Sequence, residues 1–242
     1  MSSGSPGSKG FITLVIASGA AVLIDALAHW RPVKTTEFLA LLAFSVVASR
    51  CRVKLPGVTG SMSVNLPFIL MAAAELNMAE ALVVGCLSTL AQCLPSAGKS
   101  FNLVRTLFNF ANMALAVGVT HLLYDSATLR AGIASSQLLL AIATAGFFLV
   151  NSAPVAIVIS LTEGKNAARI WANMFQLSYP YYLASAGVAA AVVSLAGNIT
   201  WQAPVAMLLL MLGLFHSYRR YFSAADQDGA AKPESKGILA AN

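Results

Sequence analysis

The chain has 242 residues, of which 58% are hydrophobic and only 10% are charged. Its mean hydropathy of +0.75 is typical of a membrane protein and excludes an ordinary water-soluble domain. The net charge of +6 does not indicate a nucleic-acid partner, because the lysines and arginines lie at the ends of apolar segments and not in one patch.

Predominantly apolar segments follow one another along almost the whole chain. They are residues 11–29, 36–50, 63–76, 78–95, 101–124, 134–162, 177–196 and 202–219. Each approaches the roughly 20 residues that a helix needs to cross about 30 Å of hydrocarbon. The sequence therefore predicts an all-α polytopic membrane bundle with six to eight transmembrane helices, eight being preferred. Residues 63–76 are short and contain Pro67, so with 78–95 they form either two crossings or a re-entrant helical hairpin.

The basic residues predict the orientation of these segments. With eight crossings and a cytoplasmic N-terminus, 12 of the 15 lysines and arginines lie on the inside and 3 on the outside, as the positive-inside rule requires. This predicts a multi-pass protein of the bacterial inner membrane with both termini in the cytoplasm. Residues 1–10 are predicted to be a flexible leader, 11–222 the helical domain and 223–242 a disordered tail.

The segment 101–124 carries a stripe of polar residues. Asn102, Arg105, Asn109 and Asn112 are spaced at i, i+3, i+7 and i+10, which places them on one face of a helix. Such a face cannot contact acyl chains, so it either lines a ligand pocket or hydrogen-bonds to neighbouring helices as a structural contact.

The segment 134–162 repeats this pattern. Gln137, Thr144 and Asn151 follow one another at steps of seven, and Pro154 removes a backbone hydrogen bond three residues later. We expect Asn109 and Asn151 to face each other or a shared cavity across the two segments.

Two further regions carry candidate ligand-binding residues. Residues 57–65 combine glycines and serines with Asn65, a flexible backbone that could expose amides to a polar ligand. Tyr179, Tyr181 and Tyr182 surround Pro180 after an amphipathic stretch, 165–177. They form either an interfacial aromatic belt or a stacking wall for a ring-containing ligand, in which Tyr182 is the candidate contact.

Acidic residues cluster once between two segments. Glu75, Asn77 and Glu80 are expected to form a solvated turn on the outer side, the alternative being an ion or ligand site. No HExxH, GxSxG, P-loop or GxGxxG motif is present, and the three cysteines form no CxxC pair. The sequence therefore predicts no enzyme activity, no cofactor and no metal site.

Three runs of the sequence resemble a known family. They are KSFNLVRTLFNFANMALAVGVTHLL from Lys99, GFFLVNSAPVAIVISLTEGKNAARIW from Gly146 and PVAMLLLMLGLFHSYRRYF from Pro204. Over residues 31–222 the chain resembles the membrane-embedded N-terminal sensory regions that precede HD-GYP and GGDEF domains in bacterial cyclic-di-GMP signalling proteins. It is also distantly similar to substrate-binding subunits of energy-coupling-factor transporters.

This resemblance implies that Asn109, Asn151 and the segment from Gly60 to Ser63 are the family's recurrent polar positions. The sequence has no HD-GYP or GGDEF domain after its last apolar segment, so signalling is expected to require a separate protein partner. The predicted function is a small-molecule-binding membrane module, either a sensor or a transport subunit. Its expected partners are membrane lipids and either a separate protein or a second copy of this chain. The alternative is a structural or assembly subunit of a larger membrane complex.

Overall fold

The structure is a computed structural model, and it describes residues 6–31, 34–54, 61–94, 101–195 and 205–213, together with 216, 217 and 220. Nearly all of these residues are helical. The helices are α1 (Pro6–Ala28), α2 (Thr35–Arg50), α3 (Leu66–Glu75), α4 (Met78–Cys93), α5 (Leu103–Asp125), α6 (Ala127–Gly132), α7 (Ser136–Glu163), α8 (Ala167–Leu195) and α9 (residues 205–213). The predicted all-α helical bundle is confirmed.

Helix α5 lies at the centre of the bundle. It packs against α1, α3, α4 and α7, while α2 covers α4 and α3, and α8 packs on α7 and α3. The buried apolar core is continuous from α3 and α4 through α5 and α7 to Met207 and Met211 of α9. Polar residues on the inner face of α5 must therefore find partners on neighbouring helices.

Side-chain caps fix where several helices begin. The side-chain oxygens of Asn77, Asn102 and Ser135 accept backbone N–H groups in the first turns of α4, α5 and α7. Helix α7 ends at Gly164, whose φ of 68° lies in the left-handed region and whose N–H donates to the Ser160 carbonyl at 2.9 Å.

Helix α3 is short and enclosed by protein. A small hairpin precedes it, in which β1 (Arg52–Lys54) and β2 (Ser61–Ser63) pair antiparallel with Arg52 opposite Ser63. All residues from Leu66 to Ala73 are buried. Ten helical residues span about 15 Å, which is half of the hydrocarbon thickness. This geometry is that of a helix held inside the bundle and not of a lipid-facing crossing. Of the predicted segment 57–65, residues 57–60 lie outside the described residues.

Three helices are long and apolar enough to cross a membrane. They are α1, α5 and α7, while α3 and α4 are apolar but shorter. The total of six to eight crossings therefore stays a prediction. Helix α8 runs without interruption through Pro180, so the predicted amphipathic stretch 165–177 and the tyrosine cluster belong to one helix.

The first helix begins earlier than predicted. Helix α1 starts at Pro6, so residues 6–10 of the predicted flexible leader are helical. The predicted disordered tail, 223–242, lies outside the described residues.

Candidate functional site

A chain of hydrogen bonds joins α5, α7 and α8 in the interior of the bundle. The Asn112 side-chain amide donates to the Asn151 backbone carbonyl at 2.8 Å and lies 3.3 Å from Asn151 Oδ1. The Asn151 amide in turn donates to the Tyr182 hydroxyl at 3.3 Å. We call these three residues the asparagine–tyrosine chain. It brings together three of the predicted site residues.

One acceptor in this chain lacks a donor. Asn112 is only 2% exposed, and its Oδ1 atom has no hydrogen-bond partner among the described residues. A buried polar atom left without a partner costs about 1–3 kcal/mol. This atom can therefore accept one further N–H or O–H donor.

Aromatic rings surround the tyrosine end of the chain. The Tyr182 ring lies 4.9 Å from the Phe148 ring in a T-shaped contact and 6.2 Å from the Phe147 ring. Phe148 also contacts Trp171, whose Nε1 donates to Ser152 Oγ at 2.9 Å. These rings form an apolar and aromatic boundary beside the polar chain.

A second polar chain begins at the neighbouring tyrosine. The Tyr181 hydroxyl donates to the Ser63 carbonyl and accepts from the Leu66 N–H, thereby holding the end of β2 against the start of α3. Ser63 Oγ donates to Asn65 Oδ1 at 2.5 Å, and the Asn65 amide donates to Ser88 Oγ at 3.1 Å. The predicted residue Asn65 therefore belongs to this second hydrogen-bond chain. The second chain meets the asparagine–tyrosine chain where the Tyr181 and Tyr182 rings lie 5.8 Å apart.

The remaining predicted residues do not join either chain. Asn109 donates to Cys93 Sγ at 3.6 Å, so it faces α4, and the expected pairing of Asn109 with Asn151 is wrong. Asn102 caps α5 by accepting the Arg105 backbone N–H, and the exposed Arg105 side chain has no hydrogen bond or ion pair among the described residues. Gln137 donates to Ser194 Oγ at 2.7 Å. It is 14 residues before Asn151 on the same helix, about 21 Å along the axis.

The sequence missed two residues. Tyr181 was treated only as a member of an aromatic cluster, although it fixes the β2–α3 junction. Glu80 was expected in a solvated turn, which is wrong, because its side chain is 0% exposed and neither carboxylate oxygen has a hydrogen-bond partner within the described part of the chain.

The burial of Glu80 follows from how the start of α4 is covered. Asn77 accepts the Glu80 N–H at 2.9 Å, and its amide donates to the Arg31 carbonyl at 2.9 Å, which ties the α1–α2 connection to this turn. An ionised carboxylate buried without a partner costs several kcal/mol. The helix N-terminus returns at most about 2 kcal/mol of that cost.

Lys34, at the same end of the bundle, is paired with two carboxylates. Lys34 Nζ lies 3.3 Å from Glu75 Oε2 and 3.4 Å from Glu37 Oε2. Partial burial alone would lower the pKa of the Lys34 ammonium, but the hydrogen bond to Glu75 and the two carboxylate charges outweigh it and raise that pKa. Among the residues that the structure places, no group of three or more His, Cys, Asp or Glu side chains is arranged to hold a metal ion.

Comparison with known families decides what kind of domain this bundle is. The family model of MASE9 matches residues 21–214. The chain belongs to the MASE9 family. MASE9 is a family of membrane-associated sensory domains, which agrees with the apolar helices and confirms the predicted membrane sensory region.

The MASE9 match covers both polar chains. It runs from the second half of α1 to the end of α9 and contains all eight predicted site residues. Searches among curated proteins and among solved structures gave no significant match. The roles of individual residues in this MASE9 domain must therefore be argued from its own geometry.

Proposed function

We propose that this MASE9 domain is a sensor that binds a small molecule at the asparagine–tyrosine chain. The observation that carries the proposal is the Asn112 Oδ1 atom, a buried acceptor for which the described part of the chain supplies no donor, inside the bundle where three helices meet. A ligand that donates one hydrogen bond there would satisfy the acceptor and link α5 to α7 and α8. Binding would then favour one relative position of these helices, which is how a ligand shifts a conformational equilibrium.

The surroundings of Asn112 restrict the chemistry of the ligand. It needs an N–H or O–H group for Oδ1 and an apolar or ring-containing body for the side of Phe147 and Phe148. A multiply charged ligand does not fit, because no charged side chain takes part in the contacts of this chain.

The output of the sensor is also a proposal. Because the sequence resembles the regions that precede HD-GYP and GGDEF domains, we assign it to cyclic-di-GMP signalling in the bacterial inner membrane, through a protein partner or a second copy. It has no enzymatic activity of its own in this scheme. Transport, suggested by the distant similarity to energy-coupling-factor subunits, ranks lower because the identified family is sensory.

An assembly role is the second candidate, and one observation favours it. Most buried amides in this bundle already have protein partners on other elements, as in the pairs Asn65–Ser88 and Asn112–Asn151. Polar contacts of this kind hold membrane helices together without any ligand. In that case Asn112 contributes to stability alone.

Native mass spectrometry of the purified protein tests the sensor proposal. We expect wild-type protein to retain a small molecule, Asn112→Ala to lose it, and Asn109→Ala to keep it. Asn109 is a matched control, because it lies one turn away on the same helix and contacts α4 instead of α7. Equal retention by the wild type and Asn112→Ala, or an empty wild-type protein that no added extract stabilises, would favour assembly.

The proposed topology has its own test. A reporter fused after Asn242 and another inserted beside Lys54 should both lie in the cytoplasm, since the partition of basic residues places both positions there. Protease or fluorescence readout of the reporters in intact cells measures this. An external signal from either position would overturn the topology of eight crossings with both termini in the cytoplasm.

A further inference from the structure

Helices α5 and α8 begin at the same end of the bundle. Residues 164–166 join the end of α7 to the start of α8, and the Asn112–Asn151 contact sets the first half of α5 beside the second half of α7. We call this end the basic end. The distribution of lysines and arginines along the sequence predicts that it faces the cytoplasm.

One arginine stands in the first turn of each of these two helices. Asn102 accepts the backbone N–H of Arg105, and Asn166 accepts that of Arg169. Both arginine side chains are exposed, and neither has a hydrogen bond or an ion pair in the part of the chain that the structure describes. Positive charge is unfavourable at the N-terminus of a helix. Helix stability therefore does not account for either arginine.

Exposed apolar side chains lie next to both arginines. On α5, Leu103, Val104 and Leu107 are 59%, 57% and 43% exposed. On α8, Phe175 and Tyr179 are 44% and 46% exposed, and their rings stack with centroids 5.7 Å apart. Each arginine therefore stands at the end of an apolar surface. Such a surface matches a molecule that combines an anionic head with hydrocarbon chains.

Acidic side chains are scarce at the basic end. Of the nine acidic residues in the sequence, Glu163 is the one that the described residues place here, and its Oε2 atom lies 2.6 Å from Lys165 Nζ. Asp226, Asp228 and Glu234 lie in the last part of the sequence, outside the described residues. The described part of the chain therefore supplies no carboxylate for the two arginines.

The opposite end, where α5 finishes, has a different balance of charge. Lys34 contacts Glu37 and Glu75, and Arg130 contacts Asp125. Arg31 is exposed at this end as well. The acidic residues here are Asp25, Glu37, Glu75, Glu80 and Asp125, and the basic residues are His29, Arg31, Lys34 and Arg130. Carboxylates among the cations weaken the attraction of this end for an anionic headgroup.

We propose that Arg105 and Arg169 each bind the phosphate of an anionic phospholipid, whose acyl chains cover the exposed apolar side chains of α5 and α8. Guanidinium groups match phosphate oxygens in charge and in geometry, and basic residues at the cytoplasmic ends of membrane helices attract anionic lipids. An acidic protein would supply the charge but no hydrocarbon chains for the apolar surfaces. The proposal does not rest on the ligand at Asn112.

Melting temperature and lipid retention of the full-length protein in zwitterionic detergent test this proposal. The wild type, Arg105→Gln, Arg169→Gln and the double variant are each measured with phosphatidylglycerol, with phosphatidylcholine of the same acyl chains, and with inorganic phosphate. Native mass spectrometry counts the retained lipids. Arg130→Gln is the matched control, because Arg130 is an arginine of the opposite end and is paired with Asp125.

Phosphatidylglycerol should raise the melting temperature of the wild type by several degrees more than phosphatidylcholine does, because it binds the folded protein at two further contacts. Each single variant should lose part of this rise and retain one phosphatidylglycerol fewer, and the double variant should lose most of the rise. Arg130→Gln should keep the full rise. Inorganic phosphate should give none, since it has no acyl chains.

Three results would overturn the proposal. The first is an equal rise with both lipids, or with inorganic phosphate. The second is a double variant that keeps the wild-type rise, or a control that loses as much as the double variant does. The third is a double variant that melts below the wild type without lipid and then gains the same rise from phosphatidylglycerol. In that case a carboxylate of the chain itself, such as Asp226, Asp228 or Glu234, would be the partner of the arginines.

Discussion

Replacing Gly19 with alanine should strongly destabilise the bundle. A Cβ atom at Gly19 would lie 2.3 Å from the backbone oxygen of Ala111 and 2.6 Å from its Cα. Backbone atoms cannot rotate away, so α1 must move from α5. Overpacking of this kind costs about 1–3 kcal/mol, which exceeds the gain of about 1 kcal/mol that alanine normally brings to a helix interior. Thermal unfolding of the purified protein measures the difference.

Two other glycines provide a graded control. At Gly10, on the same helix, an added Cβ meets nothing within 4 Å, so Gly10→Ala should leave stability unchanged or slightly higher. At Gly118 the nearest atom is the tip of the Val22 side chain at 3.2 Å, which can shift, so the loss should be small. Equal effects at the three positions would contradict the close α1–α5 approach.

Apolar runs were sufficient to predict most helices. The predicted segment 36–50 corresponds to Thr35–Arg50, and 101–124 corresponds to Leu103–Asp125, which Asn102 caps. These boundaries follow from local chemistry, because a cap is satisfied by the residues next to it. Whether a given helix crosses the bilayer is not local, and hydropathy alone does not separate the enclosed α3 from a crossing.

The polar contacts were harder to predict because helical periodicity fixes a face but not a neighbour. Asn109 and Asn112 are one turn apart and were placed on one stripe, yet one contacts α4 and the other α7. A central helix such as α5 has several neighbours. Asn109 and Asn112 project about 60° apart around its axis, and this difference decides which neighbouring helix each side chain contacts. Which neighbour a polar side chain contacts depends on the angles at which the helices cross, and a single sequence does not specify these angles directly.

The burial of Glu80 is likewise not predictable from its local sequence. Its local sequence, an acidic residue just after Asn77, is typical of a solvated helix start. The Arg31 carbonyl, 46 positions earlier in the sequence than Asn77, ties the α1–α2 connection to this turn and changes the environment of the carboxylate. Long-range packing therefore buries a side chain that the local sequence places in solvent.

The pairing of Asn112 with Asn151 should appear as a coupling energy. The single variants Asn112→Leu and Asn151→Leu and the double variant form a double-mutant cycle, measured by thermal unfolding without ligand. Interhelical hydrogen bonds of this kind contribute about 0.6 kcal/mol on average and up to about 1.7 kcal/mol in membranes. We expect a coupling at the low end of this range, because Asn151→Leu removes the Oδ1 acceptor at 3.3 Å but keeps the backbone carbonyl that accepts the Asn112 amide at 2.8 Å.

A second cycle, in which Asn109→Leu replaces Asn112→Leu, serves as the matched control. Asn109 bonds to Cys93 and not to α7, so its effect should add to that of Asn151→Leu without coupling. Coupling in the control cycle instead of the first would restore the pairing predicted from periodicity and refute the α5–α7 contact.

Repeating the first cycle with a retained ligand separates the two candidate functions. A sensor should lose most of its ligand-induced rise in melting temperature when Asn112 alone is changed, because Oδ1 is the acceptor that the ligand satisfies. An assembly subunit should show the same coupling energy with and without the added molecule, because its asparagines bind only protein groups.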